Sequence, residues 1–276
     1  MMNGPSSLSG FQTEALIREI EINFWETWSN FGCGPGCTLH DEGDALWFET
    51  SIPIIPYNAI LKFQVERNID QRIEELVDHF ALRKVPLLWI VHPTSKPLDL
   101  SDRLQKRGLL HIEIAPCMAR DLANLPEAPP LPDGVEVREA IGESDVIEFQ
   151  ELTVWRWGVH PDYHQQLQAM IARFNAGKPG SKTRMWLAWR DGVPISKLAT
   201  YYGEGSVGIY GVVTKTEERG QGLASFLVVE AMKAAREAGQ KLAVLHSSPL
   251  AENLYKRLGF HTVTQFHLFA SEPAYL

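Results

Sequence analysis

The sequence predicts an α+β (α/β) fold in which a mixed, mostly antiparallel sheet is flanked by helices. Short β-branched runs such as residues 207–213 indicate buried strands, and stretches such as residues 224–238 repeat apolar residues at helical spacing. From residue 135 onward the predicted order is one strand, two helices, three antiparallel strands, then helix, strand, helix and strand. Asp191 and Gly192 separate two alternating runs and predict a hairpin turn.

The same criteria predict the other elements. In the first half, helices are predicted at residues 11–31, 69–82 and 100–107, and strands at residues 45–50, 59–65, 86–91 and 109–114. In the second half, helices are predicted at residues 144–157 and 161–175, and strands at residues 135–140, 185–189, 194–202 and 241–245.

Composition bounds the class of protein. A length of 276 residues allows one large domain or two ordinary ones. With 45% hydrophobic and 22% charged residues, the chain can bury a sizeable core. A net charge of −8 argues against nucleic acid or an anionic membrane as a partner, because phosphate groups need clustered Lys and Arg. No apolar run approaches the ~18 residues of a membrane span, and residues 1–10 lack the features of a signal peptide. With only three cysteines, a cytoplasmic location is expected.

A proline-rich segment divides the chain. Residues 124–134 contain four prolines and cannot continue a helix or a central strand, so they predict a semi-rigid linker. The predicted domains are therefore residues 1–123 and residues 135–276.

A glycine-bearing turn between a strand and a helix predicts a phosphate site. Residues 219–224 read Arg-Gly-Gln-Gly-Leu-Ala, between the strand ending at Val213 and the helix 224–238. Such a turn exposes unpaired N–H groups at the positive end of a helix. The spacing excludes the P-loop, which needs a Lys after the second Gly, and the dinucleotide motif, which needs a glycine where Ser225 stands.

Two blocks of sequence resemble one family. Arg219, Gly222 and Ala224 match R-x-x-G-x-A, and residues 254–260 (Leu-Tyr-Lys-Arg-Leu-Gly-Phe) follow a predicted strand. Together they resemble the coenzyme A signature and the next helix–strand block of the GNAT superfamily of acyl-CoA-dependent N-acetyltransferases. The resemblance covers about the C-terminal half. It implies a splayed pair of parallel strands, here those ending at Val213 and Leu245, with acetyl-CoA as co-substrate in the wedge between them.

The resemblance also implies which residues hold the coenzyme. Backbone of residues 212–214 would pair with the pantetheine arm, and the amides of residues 220–225 would hold the pyrophosphate. Arg219 would fold onto a phosphate or remain a solvated surface residue, and Asn253 would bond the pantetheine arm or cap a helix. The expected coenzyme-binding residues are Val212, Val213, Thr214, Arg219, Gly220, Gln221, Gly222, Leu223, Ala224, Ser225 and Asn253.

The catalytic residues expected from the resemblance are Tyr255 and His246. Tyr255 occupies the position whose phenol protonates the leaving thiolate in many family members, the alternative being an aromatic residue at the edge of the core. A backbone N–H near Val213 would polarise the thioester carbonyl. The sequence does not assign the general base that takes the proton from the amine. The candidates are His246, Glu204 in a turn, a relay through Tyr210, and ordered water.

The amine acceptor is expected between the two helices that follow the linker. An aromatic segment of mixed polarity could receive an amine there, although packing between helices explains it equally well; it comprises Trp155, Arg156, Trp157, His160 and Tyr163.

No metal site is expected. Cys33, Cys37 and His40 lie in a Gly/Pro-rich stretch with no second pair of ligands, so a structural loop is favoured. His160 and His164 lack a third ligand.

The two halves predict an internal repeat. His92 and His246 stand in similar contexts, as do Gly108 and Gly259, at offsets of 246 − 92 = 154 and 259 − 108 = 151. The first copy has Glu-Arg-Asn at residues 66–68, with no glycine before its helix, and is expected to have lost the coenzyme. The alternative is an unrelated α/β domain.

The sequence therefore predicts an enzyme that moves an acetyl group from acetyl-CoA to a primary amine on a small molecule, by direct attack in a ternary complex. No cysteine lies in the motifs, which argues against a covalent acyl-enzyme. The alternatives are a non-catalytic acyl-CoA-binding regulatory protein, and a protein or peptide N-acetyltransferase with an open groove. A homodimer is possible.

Overall fold

The computed structural model describes Leu8 and residues 10–273, and within them the chain forms one continuous eleven-stranded sheet. The prediction that there is no signal peptide was made from residues 1–10, which lie mostly outside this part. The sheet order is β1-β2-β3-β4-β11-β5-β10-β9-β8-β7-β6. The strands are β1 (Thr38–Asp41), β2 (Ala45–Glu49), β3 (Ala59–Phe63), β4 (Leu88–Val91), β5 (Leu110–Asp121), β6 (Val135–Ala140), β7 (Thr183–Arg190), β8 (Val193–Tyr202), β9 (Val207–Thr214), β10 (Leu242–His246) and β11 (His261–Ala270).

Helices cover both faces of this sheet. They are α1 (Thr13–Ser29), α2 (Ile69–Arg83), α3 (Leu100–Lys106), α4 (Glu143–Trp157), α5 (His164–Arg173), α6 (Leu223–Glu237) and α7 (Glu252–Arg257). Helices α1, α4 and α5 pack on one face, and α2, α3, α6 and α7 pack on the other. Neighbouring strand residues such as Trp47 and Phe48 belong to opposite cores, because successive side chains of a strand point to opposite faces.

The described residues confirm the mixed, mostly antiparallel sheet with flanking helices, and three elements differ from the sequence prediction. The Gly/Pro-rich stretch expected to be a loop contains β1, an edge strand whose His40 ring stacks on Trp47 at 3.6 Å. The strand predicted at residues 109–114 continues to Asp121. The helix predicted at 161–175 begins as a 3₁₀ turn over Pro161–Tyr163, and its α-helical part is His164–Arg173.

The two halves exchange a strand at the centre of the sheet. β5, from the first half, lies between β10 and β11, and β11, from the second half, lies between β4 and β5. Both insertions are antiparallel to their neighbours, whereas β3 with β4 and β9 with β10 form the parallel pairs. Each half therefore completes the other half's part of the sheet.

The register of β5 with β11 has the symmetry of a repeat. Leu110 pairs with Ala270 and Ala119 pairs with His261, so both ends show the offset 261 − 110 = 270 − 119 = 151. Ala115 pairs with Phe266 at the same offset, 266 − 115 = 151, which places a pseudo-twofold axis at this pair. The internal repeat expected from the sequence is thus visible as a symmetry of the sheet.

The histidines that suggested the repeat are not equivalent by register. Ile90 pairs with Leu268, and His246 pairs with Cys117. Because 268 − 117 = 151, Leu268 is the repeat equivalent of Cys117. Their partners Ile90 and His246 are therefore equivalent to each other, and His92 lies two positions beyond Ile90. The offset of 154 expected between the histidines is therefore wrong for this strand, where it is 246 − 90 = 156.

The strand exchange predicts that neither half folds alone. A fragment of residues 124–276 would lack β5 and leave the edges of β10 and β11 unpaired around a buried Phe266. We expect each separate half to be insoluble or to unfold without a cooperative transition, and the two halves co-expressed to form a soluble complex. Circular dichroism during thermal unfolding measures this. The control is the full chain cut at a protease site placed in the linker, which should stay folded; cooperative unfolding of a half by itself would contradict the interpretation.

Candidate active site

Two parallel strands of the C-terminal half separate part of the way along their length. β9 and β10 pair only at Val207 with Ala243 and at Gly208 with Val244. Beyond this point β9 contains a bulge. Tyr210 pairs with Ala199 and Val213 pairs with Lys197, so three residue steps on β9 lie opposite two on β8. Gly211, with φ +58°, lies in the bulge in a conformation that favours glycine. Val212, Val213 and Thr214 therefore lie beyond the last residue of β9 that pairs with β10.

The turn before α6 forms a cradle of backbone amides. Gly220 has φ +78°, and Gly222, with φ +85°, is the N-cap of α6. The first turn of α6 has no acidic residue and no side-chain cap. In the described part of the chain, the amides of residues 220–225 donate to no other backbone or side-chain group, and the helix ladder starts with Phe226 N–H to Gly222 O at 2.9 Å. An anion is the natural acceptor for such a set of donors.

Side chains around the cradle are held to its rim. Arg219 is exposed, and its Nε donates to Thr214 O at 3.2 Å. The Gln221 side chain accepts from Arg190 at 2.9 Å and donates to Glu218 at 3.1 Å, so its main-chain amide is the group that faces the cradle freely. Asn253 is exposed in the first turn of α7 and makes no side-chain hydrogen bond within the described residues; the N-cap is Ala251, so Asn253 is not a helix cap.

The proline-rich linker is docked on the C-terminal core rather than extended as a spacer. Leu125, Ala128 and Leu131 pack against the core that contains α6. A Cβ added at Gly222 would lie 3.4 Å from the side chain of Pro129. Apolar residues between the prolines bury themselves on this core, which fixes the path of the linker beside the cradle.

The equivalent wedge of the first half is filled by the chain itself. Leu61 O accepts from the Trp25 indole at 2.9 Å and contacts His92 Nε2, and Phe63 O accepts from Lys96 N at 3.0 Å. The helix after this strand, α2, carries Asp70 in its first turn. In the first half the strand edge is therefore occupied and the helix terminus carries a negative charge, unlike their counterparts β9 and α6 in the second half.

A mainly apolar cavity of about 300 Å³ lies beside the open wedge. It is bounded by α1 from the first half, by α4 and α5, by β7, β8 and β9, and by the end of β10. Both halves of the chain therefore build it. Its lining includes Phe24, Trp28, Phe31, Glu113, Phe149, Arg156, Phe174, Lys197, Tyr210, Gly211, Val212, Val213, His246 and Tyr255.

The two residues expected to be catalytic both line this cavity. Tyr255 on α7 is 7% exposed, and burial raises the pKa of its phenol, which is therefore protonated at neutral pH. His246 ends β10, and its ring lies 5.3 Å from Phe24 and 5.8 Å from Tyr210 between centroids. Burial among these rings lowers the pKa of His246 to about 4, so its imidazole is neutral at neutral pH.

The other candidates for the base are placed less favourably. The Tyr210 hydroxyl donates to Asn23 Oδ1 at 2.8 Å, and burial raises its pKa. Glu204 is exposed in the turn before β9, at the opposite end of that strand from the wedge. Tyr210 thus supports α1, and Glu204 lies away from the cavity.

The aromatic segment after the linker contributes only in part. Arg156 and Trp157 line the cavity, and the Arg156 guanidinium lies 4.5 Å from the centroid of the Trp157 ring. Trp155 is 40% exposed, and the exposed His160 caps a 3₁₀ turn. Tyr163 packs between α4 and α5. Of these five side chains, two therefore line the cavity, two are exposed outside its lining, and only Tyr163 is explained by packing.

Sequence reasoning missed three parts of the lining: Lys197, Glu113 and the aromatic face of α1. Lys197 stands in the middle of a buried strand pattern, and this unusual position is a signal that the sequence does offer. Glu113 and α1 belong to the first half, and only the strand exchange brings them to the second half's wedge.

The described residues contain no group of three or more potential metal ligands, and Cys33, Cys37 and Cys117 are free thiols. Within the same residues, no helix is long and apolar enough to cross a membrane.

Two buried histidines predict acid-sensitive stability. Burial lowers the pKa of His92 to about 3 and of His246 to about 4, below the ordinary 6.5. The unfolded chain therefore binds more protons between pH 6.5 and pH 4, and stability falls as the pH drops through that window. We expect each histidine to account for roughly 2 kcal/mol of the free energy of unfolding lost between pH 7 and pH 5.

Urea unfolding at both pH values tests this with the variants His92→Gln and His246→Gln, each of which should lose less stability on acidification than the wild type. His261→Gln, at an exposed position, is the control and should behave like the wild type. An unchanged pH dependence in both buried-site variants would refute the assignment.

The comparisons with known proteins agree with this geometry. Residues 149–269 match the model of the acetyltransferase (GNAT) domain. A search of the curated proteins found no significant relative. Among solved structures, a GCN5-related N-acetyltransferase from Kribbella flavida is 17% identical with a TM-score of 0.67, covering 93% of this chain and 96% of that one. A GCN5-related N-acetyltransferase from Sphaerobacter thermophilus is 19% identical with a TM-score of 0.60, covering 76% of this chain and 71% of that one.

A tandem GNAT protein from the clavulanic acid biosynthesis pathway is 12% identical with a TM-score of 0.60, covering 96% of this chain and 97% of that one. At these identities the structures support the fold alone, and the family model covers the part of the chain that holds the wedge, the cradle and the cavity. The match to the GNAT domain model is confined to residues 149–269, and the described chain shares the fold of the GCN5-related N-acetyltransferases named above.

Proposed function

We propose that this protein transfers an acetyl group from acetyl-CoA to a primary amine on a small molecule. The observation that carries the proposal is the presence of three features in one half of the chain: an amide cradle before α6, a part of β9 that does not pair with β10, and a cavity lined by Gly211–Val213 and Tyr255. A pyrophosphate, an amide-bearing arm and an acceptor could occupy them in that order.

The residues present suit acetyl-CoA, which supplies the acetyl thioester when bound. The amides of residues 220–225 would hold the pyrophosphate, with Arg219 at the rim. The open edge of Val212, Val213 and Thr214 would pair with the pantetheine arm, and Asn253 is exposed on the same side for a further hydrogen bond.

The cavity residues then supply the chemistry. The acceptor amine attacks the thioester carbonyl directly, while an N–H of the bulged strand near Val213 polarises the carbonyl oxygen. Tyr255, whose phenol is protonated, donates a proton to the leaving thiolate. His246 is neutral, so it can accept a proton at one ring nitrogen and release one from the other, which suits a relay from the amine to solvent.

The first half has a structural role in this proposal. Its own wedge is filled by His92 and Lys96, so we propose a single coenzyme site per chain. It contributes α1 as a wall of the acceptor cavity, and Asn23 of α1 is bonded to Tyr210 of β9. The volume of the cavity, about 300 Å³, suits a small acceptor. The cytoplasmic location and the homodimer stay predictions from the sequence.

Substitution of the cradle glycine tests the coenzyme site. Gly222→Asp puts a negative charge among the amides, in a strained backbone conformation and against Pro129. We expect at least ~100-fold weaker binding of acetyl-CoA in isothermal titration, because like charges in contact cost several kcal/mol. Gly239→Asp is a matched control, since Gly239 follows the same helix at its other end with φ +90° and open space around it. Equal binding by the two variants would rule out the cradle.

Removal of one hydroxyl tests catalysis separately from binding. Tyr255→Phe keeps the packing against Phe260 but removes the proposed proton donor. We expect a fall in kcat of about 100-fold or more, with the affinity for acetyl-CoA unchanged. Tyr202→Phe, which removes another buried hydroxyl outside the cavity lining, should keep full activity. Tight coenzyme binding without any turnover in the wild type would instead favour a non-catalytic acyl-CoA-binding protein.

A further inference from the structure

Lys197 is a buried cation in the wall of the cavity. It lies in β8 opposite Val213, one strand away from the proposed position of the thioester, and is 3% exposed. Its Nζ donates to Thr153 Oγ1 and, at 3.4 Å, to Phe149 O, and lies 3.9 Å from the centroid of the Phe149 ring. Helix α4 thus holds the amine at a fixed place beside the acceptor space.

No carboxylate of the described residues lies within ion-pair distance of this amine. Its two hydrogen-bond acceptors are a hydroxyl and a carbonyl, both neutral. Burial without a counter-charge lowers the pKa of Lys197 to about 7. Buried charges in proteins are normally paired, because an isolated charge in a medium of low dielectric is costly. A protonated Lys197 has three N–H donors, so one remains beyond the bonds to Thr153 and Phe149, and an anion in the cavity would supply the charge partner.

The other charged residues of the cavity do not supply this anion. Glu113 is half-buried. Burial raises the pKa of its carboxyl group, and the positive charge of Arg156 acts against that rise. Arg156 also lies close enough to Arg219 for the two charges to interact, which places it toward the coenzyme cradle. Glu113 and Arg156 therefore balance each other, whereas Lys197 has no such partner among the described cavity residues.

The rest of the lining restricts the ligand to an apolar body with one negative charge. Around Lys197 the walls are rings and aliphatic chains, including Phe24, Phe31, Phe174 and Met185. Beside Lys197 the lining has one further cation, Arg156, whose charge Glu113 offsets, so the cavity offers a ligand one unbalanced positive charge. A carboxylate brings one charge and suits a single ammonium. The volume of about 300 Å³ is at the lower end for small-molecule sites and corresponds to a metabolite.

We propose that Lys197 binds a carboxylate of the acceptor, so that the substrate class is an apolar amino acid or a similar aminocarboxylate. This assignment rests on the acetyltransferase function proposed above for the amine end of the molecule. The ammonium of Lys197 and the carboxylate form an ion pair inside the cavity, and the apolar side chain of the acceptor packs against the aromatic walls. Lys197 is then a specificity-determining residue.

Binding of matched products tests the ion pair without requiring turnover. N-acetyl-L-phenylalanine and N-acetyl-2-phenylethylamine differ only in the carboxylate and are titrated into the full-length protein with coenzyme A present. We expect the wild type to bind the carboxylate compound at least ~10-fold more tightly, and Lys197→Met to reduce this preference below ~3-fold, because removal of one member of a buried charge pair removes most of its affinity. Lys197→Arg should keep part of the preference. Lys233→Met, the same change on the surface of α6, should keep all of it.

The affinity of each variant for acetyl-CoA and its melting temperature report whether it folds. A preference that is absent in the wild type, or that survives in a folded Lys197→Met protein, would overturn the proposal.

Acetylation rates separate this proposal from the function on which it rests. With L-phenylalanine and 2-phenylethylamine as acceptors, Lys197→Met should raise KM for the amino acid only. An equal loss of kcat with both acceptors would mean that Lys197 takes the proton from the amine, and would overturn the carboxylate assignment. No turnover of either amine, together with Lys197-dependent binding of the carboxylate product, would leave the binding site standing and count against the acetyltransferase function alone.

Discussion

The antiparallel pairing of β5 with β11 is the interaction on which the rest of the structure depends. These two strands come from different halves, and each also pairs with the parallel strand of the other half. Their register places Ala115 opposite Phe266 and makes the two ends of the ladder equivalent. Because α1 lies across these central strands, its aromatic face reaches the wedge of the second half. A cavity built by both halves is the direct consequence.

The same topology has opposite outcomes in its two copies, and the difference lies in the segment after the second parallel strand. After β4, the chain turns back along β3. His92 Nε2 contacts the carbonyl oxygen of Leu61, and the Lys96 N–H donates to the carbonyl oxygen of Phe63. After β10, the chain leaves the edge of β9 free past Gly208. Unpaired backbone groups are stable at such an edge where water or a ligand can reach them. One wedge is therefore closed by the protein, and the other remains open.

Burial controls the chemistry of the cavity. His246, Lys197 and Tyr255 all lie in an apolar space beside the wedge, where burial lowers the pKa of His246 and Lys197 and raises the pKa of Tyr255. The same apolar surroundings strengthen the interaction of Lys197 with any negative charge that a ligand brings. The first half contributes to this environment through Phe24, which packs against His246. The half without an open wedge thus shapes the reactivity of the half that has one.

The sequence by itself determined the type of most elements and the glycine turn before α6, because both depend on residues that are neighbours in the chain. Alternation, helical spacing and glycines at positive φ are local requirements, so Gly220 and Gly222 indicate the cradle directly. The strand exchange leaves no local pattern, and the displaced equivalence of His92 with His246 shows how a similar context can mislead by two residues. Lys197, Glu113 and α1 meet at the cavity only in the folded sheet. Tertiary structure decided the acceptor site because contacts between distant segments depend on register and packing, which no short stretch of sequence encodes.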